Sequence, residues 1–347
     1  MGILSNNEGY LGVDIGSTCI KVVELKKIRG EVKLLTYGYS ENIDFQNMSK
    51  RNLNESIKIT AEIIKKICAK AEVTSHSAVS ALPAFSVFSS VINLPILKPD
   101  ELATAINFEA KKIIPLPINE MTLSWVDIGK GEKNNTKNYL LTGAPKSLIN
   151  KYTSIFKEAR INLLNLETEI FSLVRSLLGN DKSTVMIVEI GANTTDISIV
   201  SESIPIMTRS IDIGGSTITK AISNNLKIGI ERAEQFKYDM GISNFESQES
   251  IIPKTIIETI NPIINEIKYF LNLYQSKNSK NVDKIILSGG SSMLINFSSY
   301  LSKLLNIQVV ISNPWSRVSY PLDLKPVLDE IGPKMSIAVG LAMRQID

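Results

Sequence analysis

The stretch GVDIGSTCIKVVEL, Gly12 to Leu25, returns in altered form as IVEIGANTTDISIV, Ile187 to Val200. Each copy runs from an apolar segment through an acid and a glycine into a hydroxyl-rich turn, then into a second apolar segment. Two buried strands joined by a tight turn fit that pattern. A lone copy would read as an ordinary hairpin connector. Two copies with the acid in the same place imply one mixed unit used twice. Its parallel strands need helical crossovers, hence an α/β fold.

Periodicity fills in both units. In the first, strands are expected at Tyr10 to Ile15, Ile20 to Leu25 and Val32 to Tyr37, a helix at Ser56 to Ala71 and a strand at Ala78 to Leu82. The next segment breaks the rhythm. It reads as a small inserted α+β subdomain, with a strand at Val87 to Leu94, a helix capped by Asp100 and stopped by Pro115, strands at Met121 to Ile128 and Tyr139 to Leu141, and a helix at Ser147 to Ala159. The stretch NLETEIFSLVRSLLG reads as a connecting helix closed by Gly179. The second unit then has strands at Val185 to Glu189, Asp196 to Val200 and Ile204 to Ile211. Helices follow at Thr217 to Asn225, Glu231 to Tyr238 and Thr255 to Gln275, the last kinked at Pro262. KIILSGG is a strand ending in glycines, Ser291 or Ser292 caps a helix through Leu305, and Met335 to Arg344 is a terminal helix. IDIGGST, Ile211 to Thr217, follows the second copy too closely to head another unit and reads as a strand-to-helix junction.

Composition excludes several function classes. Two cysteines, Cys19 and Cys68, give no disulfide framework or metal spacing, and His76 is the sole histidine. A net charge of +3 with scattered basic doublets does not suit a nucleic-acid surface. No apolar run reaches spanning length, and Asn6 breaks a myristoylation pattern, so a cytoplasmic protein without direct membrane insertion is expected.

The two turns carry the chemistry. Glycine lets the backbone approach a ligand, and clustered N–H and hydroxyl groups bind phosphate oxygens. Two such turns across a cleft would grip a polyphosphate from both sides, with Asp14 and Glu189 aimed at one Mg2+ and Lys21 within reach of the phosphates.

These residues resemble the actin-like ATPase superfamily. VDIGSTCIK is similar to its first phosphate motif, VEIGANTTD to its second and LSGGSSML to its adenosine motif. LPILKPDELATAINFEAKKIIPLPINEMTLSW, IDIGGSTITKAI, IERAEQFKYDMG and AVGLAMR further resemble the PilM family of type IV pilus assembly. The resemblance implies an actin-like, RNase H-like two-domain fold: 1–180 with an insert at about 85–160 and completed by a C-terminal helix at 325–347, and 181–324. It implies ATP and Mg2+ as ligands. Asp14, Gly16, Ser17, Thr18 and Lys21 would form one phosphate site and Glu189, Gly191, Asn193 and Thr194 the other. Glu234 and Lys237 would hold the ribose or adenine, with an exposed charged helix face as the alternative; Gly289, Gly290, Ser291 and Met293 would line the adenosine pocket. Glu169, or Glu167, would activate water, the alternative being a simple connector charge. The superfamily has Asp where this chain has Glu189, and an extra methylene displaces the carboxylate by roughly 1.5 Å, a shift that slows hydrolysis while sparing binding. The expected partner is the cytoplasmic tail of a single-span inner-membrane protein of the PilN type, which would recruit the chain to the membrane. A small-molecule kinase using Asp196 as base, and an FtsA-like filament protein with homo-oligomeric contacts, are the other readings.

Overall fold

The computed structural model describes residues 9–41, 52–131, 135–242, 251–278 and 280–346. Strands β1 (Tyr10–Ile15), β2 (Ile20–Ile28) and β3 (Glu31–Tyr39) form an antiparallel meander. Helix α1 (Leu53–Lys70), capped by the Asn52 side chain, leads to β4 (Ser77–Leu82), parallel to β1. The chain then leaves this sheet for β5 (Phe88–Pro95), α2 (Pro99–Ile113), β6 (Met121–Lys130) and β7 (Thr136–Pro145). It returns through α3 (Lys146–Ala159) to β8 (Asn162–Thr168), which adds parallel to β4. The sheet order is β3-β2-β1-β4-β8, and the inserted sheet is β5-β7-β6.

Helix α4 (Glu169–Leu177) carries the chain to the second unit. Its strands are β9 (Val185–Ile190), β10 (Thr195–Ser201) and β11 (Ile204–Ile211), followed by helices α5 (Gly215–Leu226), α6 (Ile230–Met240) and α7 (Ile251–Asn278). Then come β12 (Lys284–Ser288), α8 (Phe297–Leu305), β13 (Gln308–Ile311) and α9 (Lys325–Met343). This sheet is ordered β11-β10-β9-β12-β13. Position by position it repeats the first: a two-strand antiparallel meander on one side of the central strand and two parallel strands on the other. The central strands are mostly apolar because both faces are covered, with Asp14 and Glu189 near the ends that meet the turns.

Helices α4 and α9 share a core with both sheets. Ile170 and Leu173 of α4 and Ile337 and Leu341 of α9 pack with Val79 and Ala81 of β4 and with Val185, Ile187 and Ile286 of the second sheet. The crossing needs glycine. A Cβ on Gly340 would lie 1.9 Å from the Ser172 carbonyl, and one on Gly12 would lie 2.2 Å from the Ala338 carbonyl. The rest of α9 packs on β2 through Val23, Leu25, Met335, Ala338 and Ala342.

Several boundaries depart from the sequence expectation. The stretch Asn165 to Gly179, expected as one helix, opens as the end of a strand, Asn162–Thr168, and is helical only from Glu169. Leu163, Leu164 and Leu166 fit either period, and only pairing with β4 makes them strand. Neither Ser291 nor Ser292 caps a long helix: Gly290–Met293 is a 3-10 turn, and α8 starts at Phe297. The first helix of the insert starts at Pro99, so Lys98 takes the cap position assigned to Asp100, and its N–H reaches the Glu101 carboxylate at 3.3 Å. Helix α9 begins well before Met335 and runs through Pro333.

Candidate functional site

The two turns close in the same way. The Gly16 N–H donates to the Cys19 carbonyl at 3.0 Å, and the Gly191 N–H to the Thr194 carbonyl at 2.9 Å. In the first hairpin Asp14 faces Lys21; in the second Glu189 faces Asp196. Both turns open on one cavity of about 300 Å3. Asp14, Gly16, Ser17, Thr18 and Lys21 line it from one side, and Glu189, Gly191, Thr194 and Asp196 from the other. Of the second turn, Asn193 is half-buried and outside that lining.

The cavity floor is acidic. Lys21 Nζ donates to Asp14 Oδ2 at 2.7 Å, and both side chains are largely buried. Burial alone would lower the lysine, but Asp14 overrides it and raises the ammonium above its ordinary range. Glu169 also lines the cavity, and its carboxylate accepts the Ala84 N–H at 2.9 Å. Burial, then Asp196, Asp14 and Glu189, hold Glu169 well above the usual carboxylate range. Burial and the neighbouring Asp196 push Glu189 up to about 8. Asp196, which accepts from the Ser210 hydroxyl, is pushed by burial up to about 6. Glu167 stands apart: it pairs with Arg175 at 2.9 Å and with Arg344, bracing α4 against the end of α9. Among the described residues no three acidic, histidine or cysteine side chains converge closely enough to hold an ion alone. Asp14 and Glu189 therefore suit Mg2+ only with phosphate and water completing its shell, the usual habit of that ion.

A second cluster adjoins the turn at residues 191–194. The Gly215 and Ser216 N–H groups donate to the Gly191 and Ala192 carbonyls at 2.9 and 2.8 Å. The IDIGGST segment is thus the expected junction, and it braces the turn. Lys237 is 1% exposed, so its side chain is no solvated helix face. Its Nζ donates to Glu234 at 2.7 and 2.8 Å and to Thr219 Oγ1 at 3.1 Å. Burial lowers this ammonium, and Glu234 opposes the shift. Gly289 has φ +81° and sits against β9, where a Cβ would lie 2.3 Å from the Ile190 carbonyl and 2.8 Å from Glu189 Oε1. Ser291 and Ser292 are buried beside it, and Met293 is half-buried.

Among the lining residues that sequence reasoning did not single out, four carry polar groups: Ser56 and Thr60 from α1, and Lys151 and Tyr152 from α3. They carry no motif; their helical spacing marks them only as faces of amphipathic helices.

Residues 12–346 match the family of type IV pilus assembly protein PilM. The chain belongs to that family. Its structure is similar to a chain of the PilM-PilN type IV pilus biogenesis complex, with TM-score 0.85 and 21% identity, covering 97% of this chain and 98% of that one. MreB5 of Spiroplasma citri bound to ADP gives TM-score 0.58 at 11% identity, over 98% of this chain and 97% of that one. This PilM-family chain therefore has the actin-like fold. Cell division protein FtsA of Bacillus subtilis is 22% identical over 287 residues, 74% of this chain and 64% of FtsA. FtsA of Neisseria meningitidis is 24% identical over 238 residues, 61% of this chain and 55% of that protein. The PilM-family chain thus spans less than two thirds of these relatives' length. No helix among the described residues is long and apolar enough to cross a membrane.

Proposed function

We propose that the protein binds ATP with Mg2+ in the cleft and serves type IV pilus assembly by holding the cytoplasmic tail of a single-span inner-membrane partner of the PilN type, which recruits it to the membrane. One observation supports the nucleotide reading most: two acid-glycine-hydroxyl turns, at equivalent ends of two sheets with the same strand order, open on one cavity. The N–H and hydroxyl groups of Gly16, Ser17 and Thr18 would bind phosphate from one side, and Gly191, Asn193 and Thr194 from the other. Glu234 and Lys237 would shape the ribose or adenine side with Gly289, Gly290, Ser291 and Met293. Mg2+, held through Asp14 and Glu189, would supply charge neutralisation at the phosphates. Glu169, fixed by the Ala84 N–H, would orient a water molecule. The two lobes of this reading are 1–180, completed by 325–347, and 181–324.

The partner tail has a candidate seat on the insert. A surface groove is lined by Asn107, Lys111, Leu116, Pro117, Ile118 and Asn119. It meets the first sheet's helices where Lys146 of α3 donates to the Asn119 carbonyl at 2.8 Å. Such a groove suits an extended or helical peptide with apolar anchors. The PilM-PilN complex supports a partner of that type.

Calorimetry with ATP and Mg2+ tests the nucleotide site. Asp14→Asn keeps the side-chain volume and should weaken Mg-dependent binding on the order of a hundredfold, two charge-assisted contacts being lost. Asp14→Ala should do the same, at a further cost in stability from the buried Lys21 it leaves unpaired. Wild-type affinity in both variants would overturn the site.

A further inference from the structure

The turns and their acids form one part of the cavity; another wall is helical. Helices α1 and α3 share a core, Ala61 and Ile64 of the first with Ile155 and Phe156 of the second. Ser56 and Thr60 stand one turn apart on α1, and Lys151 and Tyr152 lie one turn before Ile155 on α3. The shared core brings all four to the cavity together.

Charge is divided across this space. The carboxylates of the lining, Asp14, Glu169, Glu189 and Asp196, come from the two hairpins and from α4, and neither α1 nor α3 adds an acid. The helical wall offers donors instead. Thr60 is committed, its hydroxyl donating to the Ser56 carbonyl at 2.8 Å. Tyr152 is not. It is 4% exposed, yet among the described residues nothing hydrogen-bonds its hydroxyl, which is not sealed from the cavity. Burial, then Glu169 and Asp14, push the phenol up, so it remains a donor. Lys151 is half-buried, and among the described residues no carboxylate pairs with it. The Ser56 hydroxyl has no partner there either.

A buried hydroxyl left unpaired costs about 1–3 kcal/mol, so an occupant that accepts from it is favoured. An ammonium and two O–H groups on one wall suit an oxyanion, which accepts from all three. None of Glu234, Lys237, Gly289 and Ser291 lines this cavity. The nucleoside cluster adjoins the space without entering it, which leaves the helical wall to the phosphate end.

We propose that Ser56, Lys151 and Tyr152 bind inorganic phosphate on the wall of α1 and α3, beside the two turns and distinct from them. The inference rests on the reading of the cleft for where that phosphate arises, not for whether it binds. ATP and water give ADP, phosphate and a proton: the water oxygen bonds the terminal phosphorus as its bond to the bridging oxygen breaks. The terminal phosphoryl group of ATP presents the same oxygens, and the test separates the two.

Phosphorus NMR follows inorganic phosphate added to the full chain, nucleotide-free and saturated with ADP and Mg2+. Wild type should bind it in both forms. Lys151→Gln should weaken phosphate on the order of tenfold or more, and leave ADP affinity by calorimetry within about twofold. Tyr152→Phe keeps the ring, loses one hydrogen bond to a charged group and should weaken phosphate about tenfold; it decides the question should Lys151→Gln not fold. Wild-type phosphate affinity in Lys151→Gln overturns the proposal, as does a wild type that takes up no phosphate. ADP affinity falling in step marks a packing role and overturns it too. Weakening of ATP relative to ADP in Lys151→Gln, with no uptake of free phosphate by the wild type, assigns the wall to the terminal phosphoryl group instead. If the wild type binds no adenine nucleotide, the reading of the cleft falls, and phosphate titration of the nucleotide-free protein still decides this site.

Discussion

Glu189 stands where the sequence reading expects an aspartate, and its surroundings make two expectations measurable. Its length displaces the carboxylate relative to an aspartate, so Glu189→Asp should raise ATP turnover several-fold above wild type, with affinity within about twofold. Equal or lower turnover would show that length is not what slows hydrolysis. Its titration gives the second. Burial and Asp196 push Glu189 up to about 8, whereas an unfolded glutamate titrates at about 4.3. Between those values the folded protein keeps a proton that the unfolded chain has released. The stability this group contributes is complete below the lower value and lost as pH rises through the upper one. Glu189→Gln fixes the neutral form. Thermal unfolding of nucleotide-free protein should therefore show the variant gaining on wild type between about pH 4.3 and about pH 8 and holding that gain above it. Parallel curves would place the proton elsewhere. Asp196, pushed up to about 6, adds a slope of the same size over a shorter window that ends near pH 6, in both proteins.

Among the elements, the insert carries the partner reading. Leu116 is 50% exposed on the groove. Leu116→Glu should abolish binding of a tail peptide, seen by fluorescence anisotropy, and leave ATP affinity within about twofold, because an exposed substitution costs little stability. Hydrogen exchange showing protection only within 211–305 would place the peptide on the second sheet's side instead. Element by element, the sequence was most legible where local pattern and pairing agree. The strands Tyr10–Ile15 and Ile204–Ile211 have the bounds that apolar runs and turn residues mark. Both acid-glycine-hydroxyl turns were legible because a turn is encoded by consecutive residues. Strand β8 was not, since three leucines in seven residues fit either period until β4 chooses. Ser56, Thr60, Lys151 and Tyr152 were not, since each reaches the cleft from a helix whose register only tertiary packing fixes.

At the scale of the molecule, α4 and α9 form the joint between the two sheets, and backbone contact at Gly340 sets how closely they cross. Gly340→Ala drives a methyl into the Ser172 carbonyl. It should cost roughly 3 kcal/mol or more in denaturant unfolding, toward the upper end for overpacking. A loss below about 0.5 kcal/mol, the size of a neutral surface change, would show that the crossing relaxes freely. The joint also fixes how the two hairpins face each other, and there the duplication is imperfect. Lys21 occupies in the first hairpin the register that Asp196 occupies in the second. A cradle with true twofold symmetry would accept an elongated polyanion in either direction with equal energy. This one has a head and a tail: one jaw is charge-compensated and the other is doubly acidic. Above about pH 8, once Glu189 has released its proton, reversing the occupant would set its charge against two carboxylates. Each close pair would then cost about 1 kcal/mol in water and about 4 kcal/mol at the effective dielectric of a protein surface.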